Sequence, residues 1–238
     1  MSEMTLLETP EGLQVLLPQL KRPFSLSFSG ELDRRARQGG ELIWRATGAA
    51  RPNPPSILDA TSGLCRDAYL LASGGAQVVA LEREPLLYTL ASDALTRAPD
   101  EVRARLDLRP WDALELLQSL KLGPHDFTPP LATSLPFGVI YLDPMFPARQ
   151  KNASVSREAQ VLQALTHLRD RPELERLAEE GALLRRSLEV AYYRVVVKRP
   201  LKAPPLPGPA PTSSIKGRAI RYDIYGIRSL QTPHPSDA

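Results

Sequence analysis

From Ser56 onward the chain alternates short apolar runs with longer stretches in which apolar residues recur at helical spacing. The short runs at residues 57–60, 77–81, 103–108, 137–142, 192–197 and 220–225 predict strands. Between them, residues 66–73, 85–97, 113–120, 157–168 and 172–188 predict helices, with Pro85 suited to a first helical turn. In the last helix Leu174, Leu177, Leu184 and Leu188 form one stripe. Strands separated by amphipathic helices imply βαβ units and a mostly parallel, doubly wound α/β sheet.

Upstream, Phe24, Leu26 and Phe28 alternate with serines, which predicts a strand ending at Ser29-Gly30. A basic segment with Arg34, Arg35 and Arg37 leads through Gly39-Gly40 to a helix over 41–47, which the proline cluster Pro52, Pro54, Pro55 separates from the main unit. The expected organisation is a small β-rich N-terminal extension (1–50), one α/β domain (51–228) and a flexible tail (229–238).

Composition narrows the chemistry. The 238 residues are 42% hydrophobic and 24% charged, as in a soluble globular protein. No apolar run is long enough to span a membrane and the N-terminus lacks a signal-peptide pattern, so the expectation is a cytoplasmic protein. Cys65 has no disulfide partner, and His125, His167 and His234 are too dispersed for a metal box, so no metal is expected. The net charge is only +3, but arginine dominates, with 24 Arg against 6 Lys. From Lys198 to Arg228 there are seven bases and one acid, Asp223, the footprint of a phosphate-binding face or of a solvated surface.

In a doubly wound sheet, ligands sit beyond the carboxyl ends of the strands. The first such end, Asp59-Ala-Thr-Ser-Gly63, is a turn feeding a helix, where Gly63 lets backbone approach a nucleotide-like ligand. Only one of the three glycines of a dinucleotide fingerprint is present, which disfavours a hydride-transfer enzyme. Glu82 closes the second strand 19 residues after Gly63, where an acid can accept both ribose hydroxyls. S-adenosylmethionine is a nucleoside without a pyrophosphate and needs that acid but not the full glycine set. Asp112 could accept from an adenine amine, and Trp111 is either a ring-packing side chain or a rim aromatic.

The fourth end reads Asp143-Pro144-Met145-Phe146. A nucleobase amine is a poor nucleophile because its lone pair is delocalised into the ring. A carboxylate that accepts its N–H orients the lone pair and stabilises the charge that develops. An aromatic three residues later gives a flipped base a stacking face. Turn chemistry explains the prolines but leaves Asp143 and Phe146 together unexplained.

These residues carry a resemblance. ILDATSGLCRDAYLLASGGAQVVALERE (57–84), VIYLDPMFP (139–147), VVVKRP (195–200) and KGRAIRYDIY (216–225) resemble the bacterial ribosomal RNA small subunit methyltransferase J family, as does the Arg-Arg…Gly-Gly element near residue 34. The segment DPMF is also similar to the Asn/Asp-Pro-Pro-aromatic clamp of amino-methyltransferases. The resemblance implies a Rossmann-like, seven-stranded class I S-adenosylmethionine-dependent methyltransferase that modifies guanine N2 in 16S rRNA of the small ribosomal subunit.

It further implies cofactor contacts at Asp59, Gly63, Arg66, Asp67, Glu82, Arg83, Trp111, Asp112 and Asp143. Asp143 and Phe146 would be catalytic, and Pro144, Met145, Phe146, Lys198 and Arg199 would bind substrate. Asp67 would accept from the cofactor's ammonium, or serve as a helix-start acid; Lys198 and Arg199 would face RNA phosphate, or be a charged strand end. Two departures stand out: Cys65 where the family's turn has a second glycine, and Trp111-Asp112 in place of small polar residues. Methylation of another base or a small molecule, or a non-catalytic RNA-binding module on this fold, are the alternatives.

Overall fold

The computed structural model describes residues 5–18, 20, 22–28, 30, 34, 41–121, 136–144, 161, 162 and 172–235. The predicted helix at 157–168 lies almost wholly outside them, as do Met145, Phe146 and the Arg35–Gly40 part of the basic segment.

Three short antiparallel strands lead the chain: β1 (Thr5–Thr9), β2 (Gly12–Leu16) and β3 (Phe24–Ser25), in the order β1-β2-β3. Thr9 pairs with Gly12, which leaves Pro10 and Glu11 as a two-residue turn, and Gly12 takes φ +114, a value L side chains rarely adopt. Period-two alternation puts Leu13, Val15 and Phe24 on one face, and Val15 and Phe24 are buried in the core of the main unit. The β-rich extension is therefore packed into the same core as the domain that follows. Helix α1 (Leu42–Thr47) ends at Gly48, whose left-handed backbone directs its N–H to the Trp44 carbonyl at 2.7 Å. The Trp44 indole donates to the Leu70 carbonyl at 2.6 Å and fixes this helix to the next.

The main unit runs β4 (Ile57–Asp59), α2 (Arg66–Ser73), β5 (Val78–Leu81), α3 (Pro85–Leu95), α4 (Asp100–Arg103), β6 (Leu106–Arg109), α5 (Ala113–Lys121), β7 (Val139–Leu142), α6 (Glu173–Val190), β8 (Arg194–Pro200), β9 (Ser213–Lys216) and β10 (Ile220–Gly226). Seven strands form one sheet in the order β6-β5-β4-β7-β8-β10-β9. The first five are parallel, while β10 runs against them and pairs antiparallel with both β8 and β9. The strand order reverses direction at β4 and β7, the switch point where such sheets open a crevice.

The two sheet faces have different fillings. Ile57, Val78, Val139, Tyr141, Val196 and Tyr222 point to the α1–α2–α3 side, where Phe28 of the extension stacks on Tyr69 at 5.0 Å. Leu58, Val79, Leu81, Ile140, Leu142, Val195 and Val197 point to α5 and α6. Such a stack is worth ~0.5–1.5 kcal/mol beyond its buried area. Two elements were not foreseen: strand β9, and α4, which occupies the start of the strand expected at 103–108.

Candidate active site

Register collects the chemistry at one sheet edge. Asp59 pairs with Ala80 and Tyr141, and Leu142 pairs with Val197. Asp143 and Lys198, each one residue beyond the last pair, therefore emerge side by side, and Glu82 emerges on the same edge from β5, on the other side of β4. Period two does the rest: Asp59, Tyr141, Asp143, Lys198 and Tyr222 share the face beneath α2, which contributes Asp67.

Gly63, at φ +55, opens the turn after β4; it is buried, yet a Cβ there would come no closer than 4.0 Å to another side chain, that of Leu162, so there is space beside its backbone. Its N–H donates to Glu82 Oε2 at 2.7 Å, and the Glu84 N–H donates to Oε1 at 2.7 Å. Two amides thus hold a nearly buried carboxylate while each oxygen keeps a further lone pair. Burial pushes the Glu82 carboxyl above its usual range, against those amides. Cys65 sits in the left-handed region at φ 60, the backbone state a glycine would adopt freely, with its side chain fully buried in the core. The departure from glycine therefore leaves the turn's shape intact. Burial raises the Cys65 thiol, which makes it an inert core group.

Asp59 is buried, with Oδ1 accepting the Thr61 N–H at 3.1 Å and Oδ2 buried without a hydrogen-bond partner among the described residues. The Thr61 hydroxyl accepts the Asp143 N–H at 2.6 Å, which ties the first turn to the fourth strand end. Lys198 Nζ donates to Asp67 Oδ2 at 2.6 Å and to Asp143 Oδ2 at 2.9 Å, and the buried Tyr141 hydroxyl donates to the same Asp67 oxygen at 2.6 Å. Burial alone would lower the Lys198 ammonium, but Asp143 and Asp67 hold it protonated, above its usual range. Thr61 and Tyr141 are members of this network that sequence reasoning passed over. Tyr141 reads as one more apolar residue of a buried strand until its period-two partner Asp143 is considered.

Arg83 pairs with Asp112 at 2.9 Å and with Glu179 of α6. Asp112 Oδ1 also accepts the N–H groups of Leu114 and Glu115, capping α5. Burial would raise the Asp112 carboxyl, but Arg83 and the cap hold it low. Both residues, expected as cofactor contacts, thus already hold the rim of the crevice together. Trp111 is 37% exposed, with the Arg109 guanidinium 5.6 Å from its ring centre, so it stands on the rim and not in the core.

The pairing of Lys198 with Arg199 as one phosphate contact needs correction. Adjacent strand residues face opposite sides, so Lys198 enters the acidic crevice while Arg199 goes under α6. There Arg199 is 2% exposed and its Nε donates to the Pro204 carbonyl at 3.1 Å. Both side chains are thus engaged within the protein itself, Lys198 with Asp67 and Asp143 and Arg199 with Pro204. Among the described residues, Lys202, Lys216 and Arg218 are exposed bases around the β8–β10–β9 side of this end of the sheet. They are brought together where Leu201 N–H meets the Ala219 carbonyl at 2.9 Å and Gly217 N–H meets that of Ile220 at 2.8 Å.

An open glycine turn, an oriented acid 19 residues later and an unsatisfied buried Asp59 oxygen suit a nucleoside ligand with hydroxyls and an amine to offer. Among the described residues no cluster of His, Cys, Asp or Glu is arranged to hold a metal ion, and no helix is long and apolar enough to cross a membrane.

Comparison with known proteins agrees with this geometry. A family model described as SAM-dependent methyltransferase matches residues 2–227. Ribosomal RNA small subunit methyltransferase J of Chromohalobacter salexigens is 40% identical over 234 residues, covering 94% of this chain and 85% of its own. The protein of the same name from Dechloromonas aromatica is 38% identical over 232 residues, covering 93% and 86%. The crystal structure of a SAM-dependent methyltransferase from Neisseria gonorrhoeae superposes with a TM-score of 0.68 at 30% identity, covering 93% of this chain and 81% of that one. The seven-stranded sheet is thus a class I S-adenosylmethionine-dependent methyltransferase fold, and the chain belongs to the ribosomal RNA small subunit methyltransferase J family.

Proposed function

We propose that the protein transfers a methyl group from S-adenosylmethionine to the exocyclic N2 of a guanine in 16S rRNA of the small ribosomal subunit, in the cytoplasm. The observation that carries this reading is Asp143: a carboxylate at the fourth strand end, its N–H fixed by Thr61 and its Oδ2 by Lys198, on the same edge as the Gly63–Glu82 pair. When bound, the cofactor supplies an electrophilic methyl on a sulfonium, which departs as a neutral thioether.

The chain's own residues do the remainder. Glu82 holds the ribose hydroxyls, Asp59 and Gly63 line the turn beneath, and Arg66 and Asp67 stand at the start of α2. Asp143 Oδ1, which takes no hydrogen bond among the described residues, accepts an N–H of the base amine and points its lone pair at the methyl. As nitrogen gains carbon it becomes cationic, and Asp143 stabilises that charge and takes the proton released. Pro144 and Met145 line the base, and Phe146 supplies a stacking face worth ~1–3 kcal/mol. Lys202, Lys216 and Arg218 meet phosphate on the rim.

The test is transfer of labelled methyl to small subunits lacking the modification, followed by digestion and identification of the nucleoside. N2-methylguanosine is expected from the native protein and none from Asp143→Ala. Product on another base, or near-native turnover by D143A, refutes the reading.

A further inference from the structure

Three carboxylates, Asp59, Asp67 and Asp143, converge under α2 in a site that must also admit a substrate. We propose that Lys198 is a positioning residue for methyl transfer: its ammonium, bonded to both Asp67 and Asp143, holds Asp143 in place and ionised so that Oδ1 can take the base amine. The inference rests on the reading of Asp143 given above.

The geometry has three parts. Lys198 reaches Asp143 because Leu142 pairs with Val197 in parallel register, so the next residue of each strand emerges on the same face. Its second bond is to Asp67 Oδ2, and the buried Tyr141 hydroxyl donates to that same oxygen, so the carboxylate that receives the ammonium is itself held in place. On Asp143, Lys198 takes Oδ2 and Thr61 takes the N–H, which leaves Oδ1 as the oxygen presented to the crevice. With the backbone held by Thr61 and Oδ2 held by Lys198, both ends of the residue are tied, so the acceptor direction of Oδ1 is set before substrate arrives.

Charge gives the second role. On its side of the sheet Asp143 is faced by Asp67 from α2, Asp59 from β4, Tyr141 from its own strand and Lys198 from β8, with Tyr222 of β10 beside Lys198 and Tyr141; the Arg199 charge acts from the other face. Burial and the Asp67 charge raise the Asp143 carboxyl, and Lys198 is the strongest opposing influence. Without that cation, neighbouring carboxylates would share the site with nothing between them, and one of them would take up a proton. A protonated Asp143 neither accepts the amine proton nor stabilises the cationic nitrogen.

The test compares pH profiles of kcat for the native protein, K198Q, K198M and K198R, using labelled cofactor and unmodified small subunits. Both neutral replacements should move the acidic limb to higher pH. Each unit of displacement costs about tenfold in rate on that limb and little on the alkaline side. K198R, which keeps the charge, should leave the limb in place while lowering its height. A merely structural lysine would lower the whole profile without moving it, and that outcome overturns the inference. Asp143→Asn separates the two levels: if D143N is inactive and the limb is unmoved in K198Q and K198M, only the role of Lys198 fails. If D143N turns over normally, the reading of Asp143 itself fails.

Discussion

Glu82 Oε2 accepts the Gly63 N–H at 2.7 Å, so the acid that ends β5 is oriented by the turn that follows β4. The same bond shapes the turn and aims the carboxylate. If Glu82 holds the ribose diol, removing it loses charged hydrogen bonds worth about 1.5–3 kcal/mol each. Glu82→Ala should therefore weaken S-adenosylmethionine binding by at least roughly tenfold to a hundredfold, the value of one such bond. Calorimetry on the ligand-free protein is the check, and an affinity within about twofold of native would remove Glu82 from the cofactor site.

Substrate affinity should depend on the exposed rim bases and not on Arg199. Replacing Lys202, Lys216 and Arg218 together by alanine should reduce the slope of log K against log salt by about 2 to 3 for RNA binding. Cofactor affinity should not change. An unaltered slope would place the phosphate contacts elsewhere.

Asp59 gives a stability prediction with a definite sign. Burial raises its carboxyl well above the ordinary value of 3.8, despite the Thr61 N–H. The folded state thus binds this proton more tightly than the unfolded state does. Its contribution to stability is fully present below 3.8, declines as pH rises through the folded value, and is constant above it. Asp59→Asn lacks this decline, so its stability relative to the native protein should improve across that window. Urea denaturation at a series of pH values measures the difference, and parallel profiles would contradict the assignment.

The parallel core of the sheet was legible because buried strands announce themselves as apolar runs. Strand β9 was not: Ser213, Ser214 and Lys216 are exposed on an edge, and only pairing with β10 makes them a strand. Glu82 and Asp143 could be placed from their positions at strand ends, since a sheet's carboxyl edge follows from chain direction. The partners of Lys198 could not, because they depend on which strand lies beside β8. Grouping Lys198 with Arg199 ignored the alternation that the same reasoning applied to the apolar residues. The tie between Arg83, Asp112 and Glu179 joins three separate segments, and no local pattern announces it.

The N-terminal hairpin has a consequence for the order in which the chain assembles. The Leu13 N–H bonds to Asp93 Oδ2 at 2.9 Å, across 80 residues, and Arg97 grips the same carboxylate oxygen at 2.7 Å. During synthesis β1 and β2 emerge first, yet the helix that anchors them follows only after β5. Until then β2 lacks the helix it packs against, and such long-range closure is slow compared with local helix formation. The hairpin is thus secured from a distance, and the bond that secures it can form only once α3 has docked.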